Sequence, residues 1–232
     1  MPLRKWIVSA NHAIEGILHA AKTQRHMRYH LYAAMLLLIV SFALGVSGTE
    51  FVVLITLAVL VISVEMLNTA VEIITDILFK EYDQRAKIIK DTAAGAVLIT
   101  ALGAALIGYI ILIEPVKKYF HSGLTVAKHT GSDVAVVSLL AVLILVVITK
   151  AFFGKGEPLR GGMPSGHAAV AFSIWMSVTM TTESFIPSLL VFIMAVLIAQ
   201  SRVYTGIHRP IEVVLGALLG ITVTFLLFKV FV

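Results

Sequence analysis

Cysteine is absent from the 232 residues, which excludes disulfides, thiolate metal ligands and cysteine nucleophiles, and leaves the redox compartment unmarked. Charge is scarce too: Asp, Glu, Lys and Arg make up 13% of the chain, about half the share of an ordinary soluble domain. That is too little to coat a soluble protein of this size. Apolar residues take the space at 59%, against roughly 45–50% in soluble globular chains, so much of this surface must face lipid. The net charge of +5 does not point to nucleic acid, because Lys and Arg punctuate apolar runs and form no single basic face.

A bilayer core about 30 Å thick requires roughly 20 apolar residues in a helix. Seven runs approach that length: 31–47, 51–79, 92–113, 134–153, 167–181, 188–200 and 211–232, the fifth and sixth being short. Before them, Trp6, Ile7, Ala10, Ile14, Ile17, Leu18 and Ala21 recur at helical spacing among Lys5, Lys22, Arg25 and Arg28. This pattern predicts a helix lying along the membrane surface, not a cleavable signal. The fold class that follows is an all-α integral membrane protein, with one interfacial amphipathic helix and about seven transmembrane helices. Residues 116–133 read as a linker between domains 1–115 and 134–232. With the N-terminus inside, Lys117, Lys118, Lys128 and Lys229 are the only basic residues outside, which leaves 14 of the 18 on the cytoplasmic face. Gly216 and Gly220 form a small-xxx-small pair suited to close helix packing.

Within the second run stand Glu65, Asn68, Glu72 and Asp76, spaced so that all four project from one helix face. Carboxylates at membrane depth are costly unless they pair, protonate or bind a cation. Hydrogen-bond glue between helices is the plain alternative. The next loop tilts the balance, because Lys87, Lys90 and Asp91 return on the same membrane face. Phosphoryl transfer from a nucleotide needs these parts: groups to hold Mg²⁺, lysine to neutralise phosphate, and a base for the acceptor hydroxyl.

The string Val64-Glu65-Met66-Leu67-Asn68-Thr69-Ala70-Val71-Glu72, then Asp76, Ala86-Lys87 and Lys90-Asp91-Thr92-Ala93-Ala94-Gly95-Ala96-Val97, resembles the small prokaryotic diacylglycerol kinases, which include undecaprenol kinases. The resemblance covers about residues 6–115 and implies three kinase-like membrane helices, a homotrimer, ATP and Mg²⁺. It implies Glu65 as general base, Asn68, Glu72, Asp76, Lys90 and Asp91 at the nucleotide, and Glu72 with Gln24 at the metal. The family usually has glutamate where this chain has Gln24, which removes one negative charge and should weaken Mg²⁺ binding.

A second constellation follows the fourth run. Lys155, Arg160, Gly161 and Gly162 lead through Met163-Pro164-Ser165-Gly166-His167 into an apolar helix, a design suited to phosphate: open backbone, helix N–H groups, cations and a hydroxyl. A glycine-rich turn with a capping serine is the plain alternative. After residues 168–200 come Ser201-Arg202 and, five residues on, His208-Arg209-Pro210-Ile211-Glu212. Two short spans return the chain to the same face, so two histidines, cations and a carboxylate can converge. One imidazole can attack phosphorus, another can protonate the leaving oxygen, and a carboxylate can orient the first.

The Pro-Ser-Gly-His motif and the Ser-Arg, five residues, His arrangement resemble the phosphatidic acid phosphatase type 2 superfamily over about residues 134–232, with four spans here. The resemblance implies His208 as nucleophile, His167 as general acid, Glu212 in place of the usual aspartate, and phosphate held without a metal by Lys155, Arg160, Ser165, Gly166 and Arg202. The family's first motif, a lysine followed after six residues by Arg-Pro, looks compressed here onto Lys155 and Arg160.

The two resemblances together point to a fused lipid kinase and lipid phosphatase in the bacterial inner membrane, with both sites on the cytoplasmic face, lipid substrates and ATP, and no nucleic-acid partner. Acting on one phosphate, such a pair would only hydrolyse ATP. Undecaprenol and undecaprenyl diphosphate, both leading to undecaprenyl phosphate, remove that futility. A phosphatase with an idle kinase scaffold and a non-catalytic lipid-binding protein are the alternatives.

Overall fold

The computed structural model describes residues 2–123, 125–153 and 162–232, with only the backbone of residues 2–7. Among the described residues there are eight helices and no strand: α1 (Pro2–Thr23), α2 (Arg25–Ala43), α3 (Gly48–Leu78), α4 (Gln84–His121), α5 (Gly131–Phe153), α6 (Gly166–Thr182), α7 (Phe185–Tyr204) and α8 (Pro210–Phe231). Each of the seven apolar runs coincides with one helix from α2 to α8, and α1 carries the amphipathic pattern. Six helices are long and apolar enough to cross a membrane, α1 and α6 being the exceptions. With 17 residues α6 spans only about 25 Å, as its short apolar run foretold.

Local chemistry sets the helix ends. Ser47 accepts the N–H of Glu50 and gives its own N–H to the Glu50 carboxylate, a reciprocal cap that starts α3. Asp83 accepts the backbone N–H of Arg85 at 2.7 Å and pairs with its guanidinium, starting α4. These hydrogen bonds hold the Asp83 carboxyl at about 2. At its far end α4 does not stop at Pro115 but continues to His121, so the first part of the segment expected to be a linker is helical. Proline there removes one backbone hydrogen bond, a loss the rest of a 38-residue helix absorbs.

The helices form two compact units. One comprises residues 23–126, where α3 packs on α2 and α4. The other comprises residues 1–22 together with 127–232. In this second unit α6 is central, packed chiefly on α8 and also on α7 and α5. Ala168, Ala171, Phe172, Ala195, Ala199 and Val213 make its apolar core, and Trp175 closes on Phe192 with ring centroids 4.9 Å apart. Polar side chains inside it answer one another: Ser173 pairs with Thr224 at 2.8 Å and Thr179 with Ser188 at 2.6 Å.

The small-xxx-small pair acquires a definite task. A Cβ on Gly216 would overlap the backbone carbonyl of Ser165, and one on Gly220 the carbonyl of Ala169. Only hydrogen at these two positions lets α8 lie against the backbone of α6. Gly103 on α4, by contrast, has open space around it. Gly216→Ala is expected to lower the thermal midpoint of the detergent-purified protein, by overpacking worth about 2–3 kcal/mol. Gly103→Ala, measured in parallel, is expected to leave it unchanged or raise it by up to about 1 kcal/mol, because alanine is the better helix former.

Candidate functional sites

In the unit of residues 23–126 the polar stripe of α3 lies where its spacing puts it. Glu65 is 2% exposed, and Asn68 is buried beside it. Asn68 donates its Nδ2 to Glu72 Oε1 at 3.2 Å, while Gln24, at the start of α2, donates Nε2 to Glu72 Oε2 at 3.3 Å. Two amides therefore clasp one carboxylate. One turn further, Asp76 pairs with Lys90 of α4, which joins the carboxylate stripe to the cationic start of the next helix. Asp91 pairs instead with Lys87 at 3.4 Å on the exposed side of α4. The charged neighbours of Glu65 are His26 and Glu72, and the sequence had not placed His26 in this role.

Among the described residues no three His, Asp or Glu side chains converge as a cation cage. A magnesium ion brought by a nucleotide does not need one, since it takes one or two carboxylates and completes its shell with phosphate and water. The local donors fit that demand. Glu72 supplies a carboxylate, and the buried Oδ1 of Asn68 has no hydrogen-bond partner. Turning the Gln24 amide would add a second neutral oxygen.

In the other unit, Glu212 is the hub. Its Oε2 accepts from His208 Nδ1 at 2.8 Å and from the Arg209 N–H at 3.2 Å, and its Oε1 accepts the Gly162 N–H at 3.3 Å. Its backbone oxygen takes the Ser165 N–H at 2.9 Å. One residue thus caps α8, fixes the histidine and ties down the turn that enters α6. His208 is 6% exposed, and its backbone N–H bonds to the Arg202 carbonyl at 3.1 Å, which fastens the loop after α7. Burial pushes the His208 imidazole below its ordinary value, against the opposing effect of the hydrogen bond it donates to Glu212. With Nδ1 committed to Glu212, Nε2 is the nitrogen left for chemistry.

His167, exposed in the first turn of α6, lies within electrostatic reach of Arg202 and His208. Ser165 is fully buried, and its hydroxyl has no partner; nor does the buried Nε of Arg202. Unsatisfied donors of this kind are costly in an apolar setting and suit a bound anion. Gly166 sits against Val146 of α5, where a Cβ would come within 3.2 Å of Val146 Cγ1. Lys155 and Arg160 lie outside the described residues.

Lys150 belongs to this cluster although the sequence gave it only a topological role. It is 8% exposed, one helical turn beyond Val146 on α5, and acts electrostatically on His167, His208 and Glu212. The signal that finds it is a spacing: six intervening residues separate Lys150 from Glu157-Pro158, the layout of the first phosphatase motif with glutamate for arginine.

Two family models match the chain. Residues 11–112 match that of prokaryotic diacylglycerol kinase, and residues 151–232 that of the PAP2 superfamily. A diacylglycerol kinase of Synechocystis sp. is 36% identical over 49% of this chain and 70% of that protein. An undecaprenol kinase of Bacillus subtilis is 35% identical over 48% of this chain and 90% of its own length. An undecaprenyl-diphosphatase of Sulfolobus acidocaldarius is 37% identical over 30% of this chain, which spans 34% of that protein. No solved structure matches. The chain therefore belongs to the prokaryotic diacylglycerol kinase family through its first half and joins to it, in its second, a domain of the PAP2 superfamily.

Proposed function

We propose that the chain is a bifunctional membrane enzyme that makes undecaprenyl phosphate by two routes, from undecaprenol with ATP and from undecaprenyl diphosphate by hydrolysis. The observation that carries this is the presence of two separate polar clusters in one chain, one around Glu72 and one around Glu212. Opposed activities on one phosphate would cancel, whereas these two converge on one product. The similarity of one half to an undecaprenol kinase and of the other to an undecaprenyl-diphosphatase supports it. The excess of Lys and Arg on one set of loops supports a cytoplasmic location for both sites, and kinase-family resemblance supports a homotrimer.

In the kinase half, Glu65 takes the proton of the lipid hydroxyl as that oxygen attacks the γ-phosphorus. Lys90 and Asp91 hold the nucleotide at the start of α4, and Asp76 keeps Lys90 in position until phosphate replaces it. Glu72, Asn68 and Gln24 would hold magnesium, whose charge offsets that of the phosphates. Gln24→Glu should lower the Mg²⁺ concentration for half-maximal kinase activity several-fold, because a second carboxylate strengthens the cation site. An unchanged Mg²⁺ titration would remove Gln24 from the metal site. The two amides already occupying Glu72 favour one competing reading, a weak or idle kinase half. Transfer of label from ATP to lipid, lost in Glu65→Ala and kept in His208→Ala, separates the two.

In the phosphatase half, His208 Nε2 attacks the terminal phosphorus, His167 protonates the leaving oxygen, and Ser165, Arg202 and Lys150 hold the phosphoryl oxygens without a metal. Water then cleaves the phosphohistidine. His208→Ala should abolish phosphate release from undecaprenyl diphosphate and leave ATP-dependent labelling intact. Brisk cleavage of phosphatidic acid, with none of undecaprenyl diphosphate, would contradict the proposed substrate.

The attacking imidazole must be neutral. Because burial lowers its value, His208 stays neutral to a pH below the ordinary histidine midpoint of about 6.5, and activity is lost only as pH falls through the lowered value. The acid limb of kcat/KM against pH for phosphate release should therefore have its midpoint below about 6.5. A midpoint at or above that value would contradict the neutral-nucleophile assignment.

A further inference from the structure

The unit of residues 23–126 holds a cavity of about 470 Å³ between α2, α3 and α4. None of the side chains of the polar cluster around Glu72 lines it. Apolar side chains form nearly all of its wall, with His30 and Tyr109 the polar-tipped ones. Ala105 and Tyr109 are exposed, so one side of the cavity opens to the surroundings of the helices as a groove.

Each helix reaches this groove with a stripe that changes character along its length. On α3, Leu54, Ala58 and Val61 wall the groove, and the same three- and four-residue steps run on to Glu65, Asn68 and Glu72. On α4, Ala101, Ala105 and Gly108 line it, and Lys90 lies about three turns before Ala101 on that face. On α2, His30 is the lining residue nearest in sequence to Gln24. The polar ends are tied together, Gln24 to Glu72 and Lys90 to Asp76. A molecule with one hydroxyl on a long hydrocarbon chain has this same order from end to end. With its oxygen at Glu65, its chain would run along the groove toward Gly108, which faces Leu54. Leu54 precedes Glu65 by eleven residues on α3, about 16 Å of helix.

We propose that this groove is the tail site of the lipid alcohol, and that it selects a single methyl-branched isoprenoid chain over the two straight chains of a diacylglycerol. This rests on the kinase reading of the first half. Apolar attraction does not make the choice, because the tails of the bilayer are as apolar as the wall. Shape makes it. The volume suits one slender chain, so a diacylglycerol would leave its second chain among the bulk lipids. Ala58, Ala101, Ala105 and Gly108 leave width at successive turns, which methyl branches fill and a straight chain leaves partly void. The groove orients the alcohol, and Glu65 takes its proton.

The test uses the purified full chain with ATP and Mg²⁺, and compares geranylgeraniol with geraniol, which is half as long and ends short of Gly108. Gly108→Leu should lower kcat/KM for geranylgeraniol about tenfold, the low end of what one misplaced methylene costs in an apolar pocket, and leave geraniol within about twofold. Ala105→Leu, at an exposed position that folding tolerates, should repeat the split. Gly103→Leu, in open space outside the groove, should change neither. Equal losses on both alcohols, or none on either, overturn the proposal, as does a wild type that prefers dioctanoylglycerol to geranylgeraniol. A Gly108→Leu protein that breaks up an oligomer without splitting the alcohols assigns the groove to a second copy of the chain instead. Photo-attachment of a diazirine analogue of geranylgeraniol, without ATP, reads the groove apart from turnover. Label within residues 101–112 is expected, and label spread evenly over all the helices overturns the site. Label there with no phosphorylation of any alcohol supports the groove and refutes the kinase reading.

Discussion

A carboxylate on a helix surrounded by lipid must be answered from within the protein, because no water is at hand to solvate it. Both halves of this chain are organised around that demand. In the first, Glu72 is clasped by the amides of Asn68 and Gln24, which fixes the start of α2 against the polar stripe of α3. In the second, Glu212 gathers His208, Arg209 and Gly162 around its oxygens and accepts Ser165 on its carbonyl. Satisfying the charge and building the site are one structural act.

The two centres differ in how much they leave unsatisfied. Glu212 is saturated, so its histidine is held firmly in one tautomer, and the free valences sit on Ser165 and Arg202, where a phosphate can take them. Around Glu72 the free valence is an amide oxygen, and the nearby cation, Lys90, is paired to Asp76. That arrangement suits a ligand arriving with its own cation, whereas the other suits a bare anion.

Much of this was legible in the sequence, because lipid makes a helix simple to read. With backbone bonds satisfied internally, an apolar run of the right length can be little else, and all seven runs became helices. The three- and four-residue steps from Glu65 to Asp76 fix a common face whatever the surroundings, and Ser165, His167, Arg202, His208 and Glu212 were marked by motif spacing. Other features depended on tertiary facts. Lys150 is marked in the sequence only by its spacing to Glu157-Pro158, where glutamate stands for the motif's arginine, and it is the approach of Val146 to Gly166 that brings it to the site. The continuation of α4 past Pro115 defied a local breaker that a long helix can tolerate. The amphipathic pattern of α1 announces a buried stripe but cannot say which helices will cover it.

The seating of residues 1–22 with residues 127–232 also sets an order in time. A ribosome adding roughly 5–20 residues per second leaves the first helix waiting on the order of 5–20 s before residue 127 appears. During that interval α1 lacks the helices of its own unit, while α2 to α4 can insert and pack on one another. Residues 1–22 therefore settle only after residues 127–232 have been made, so the assembly of this unit waits on helices that are synthesised long after α1.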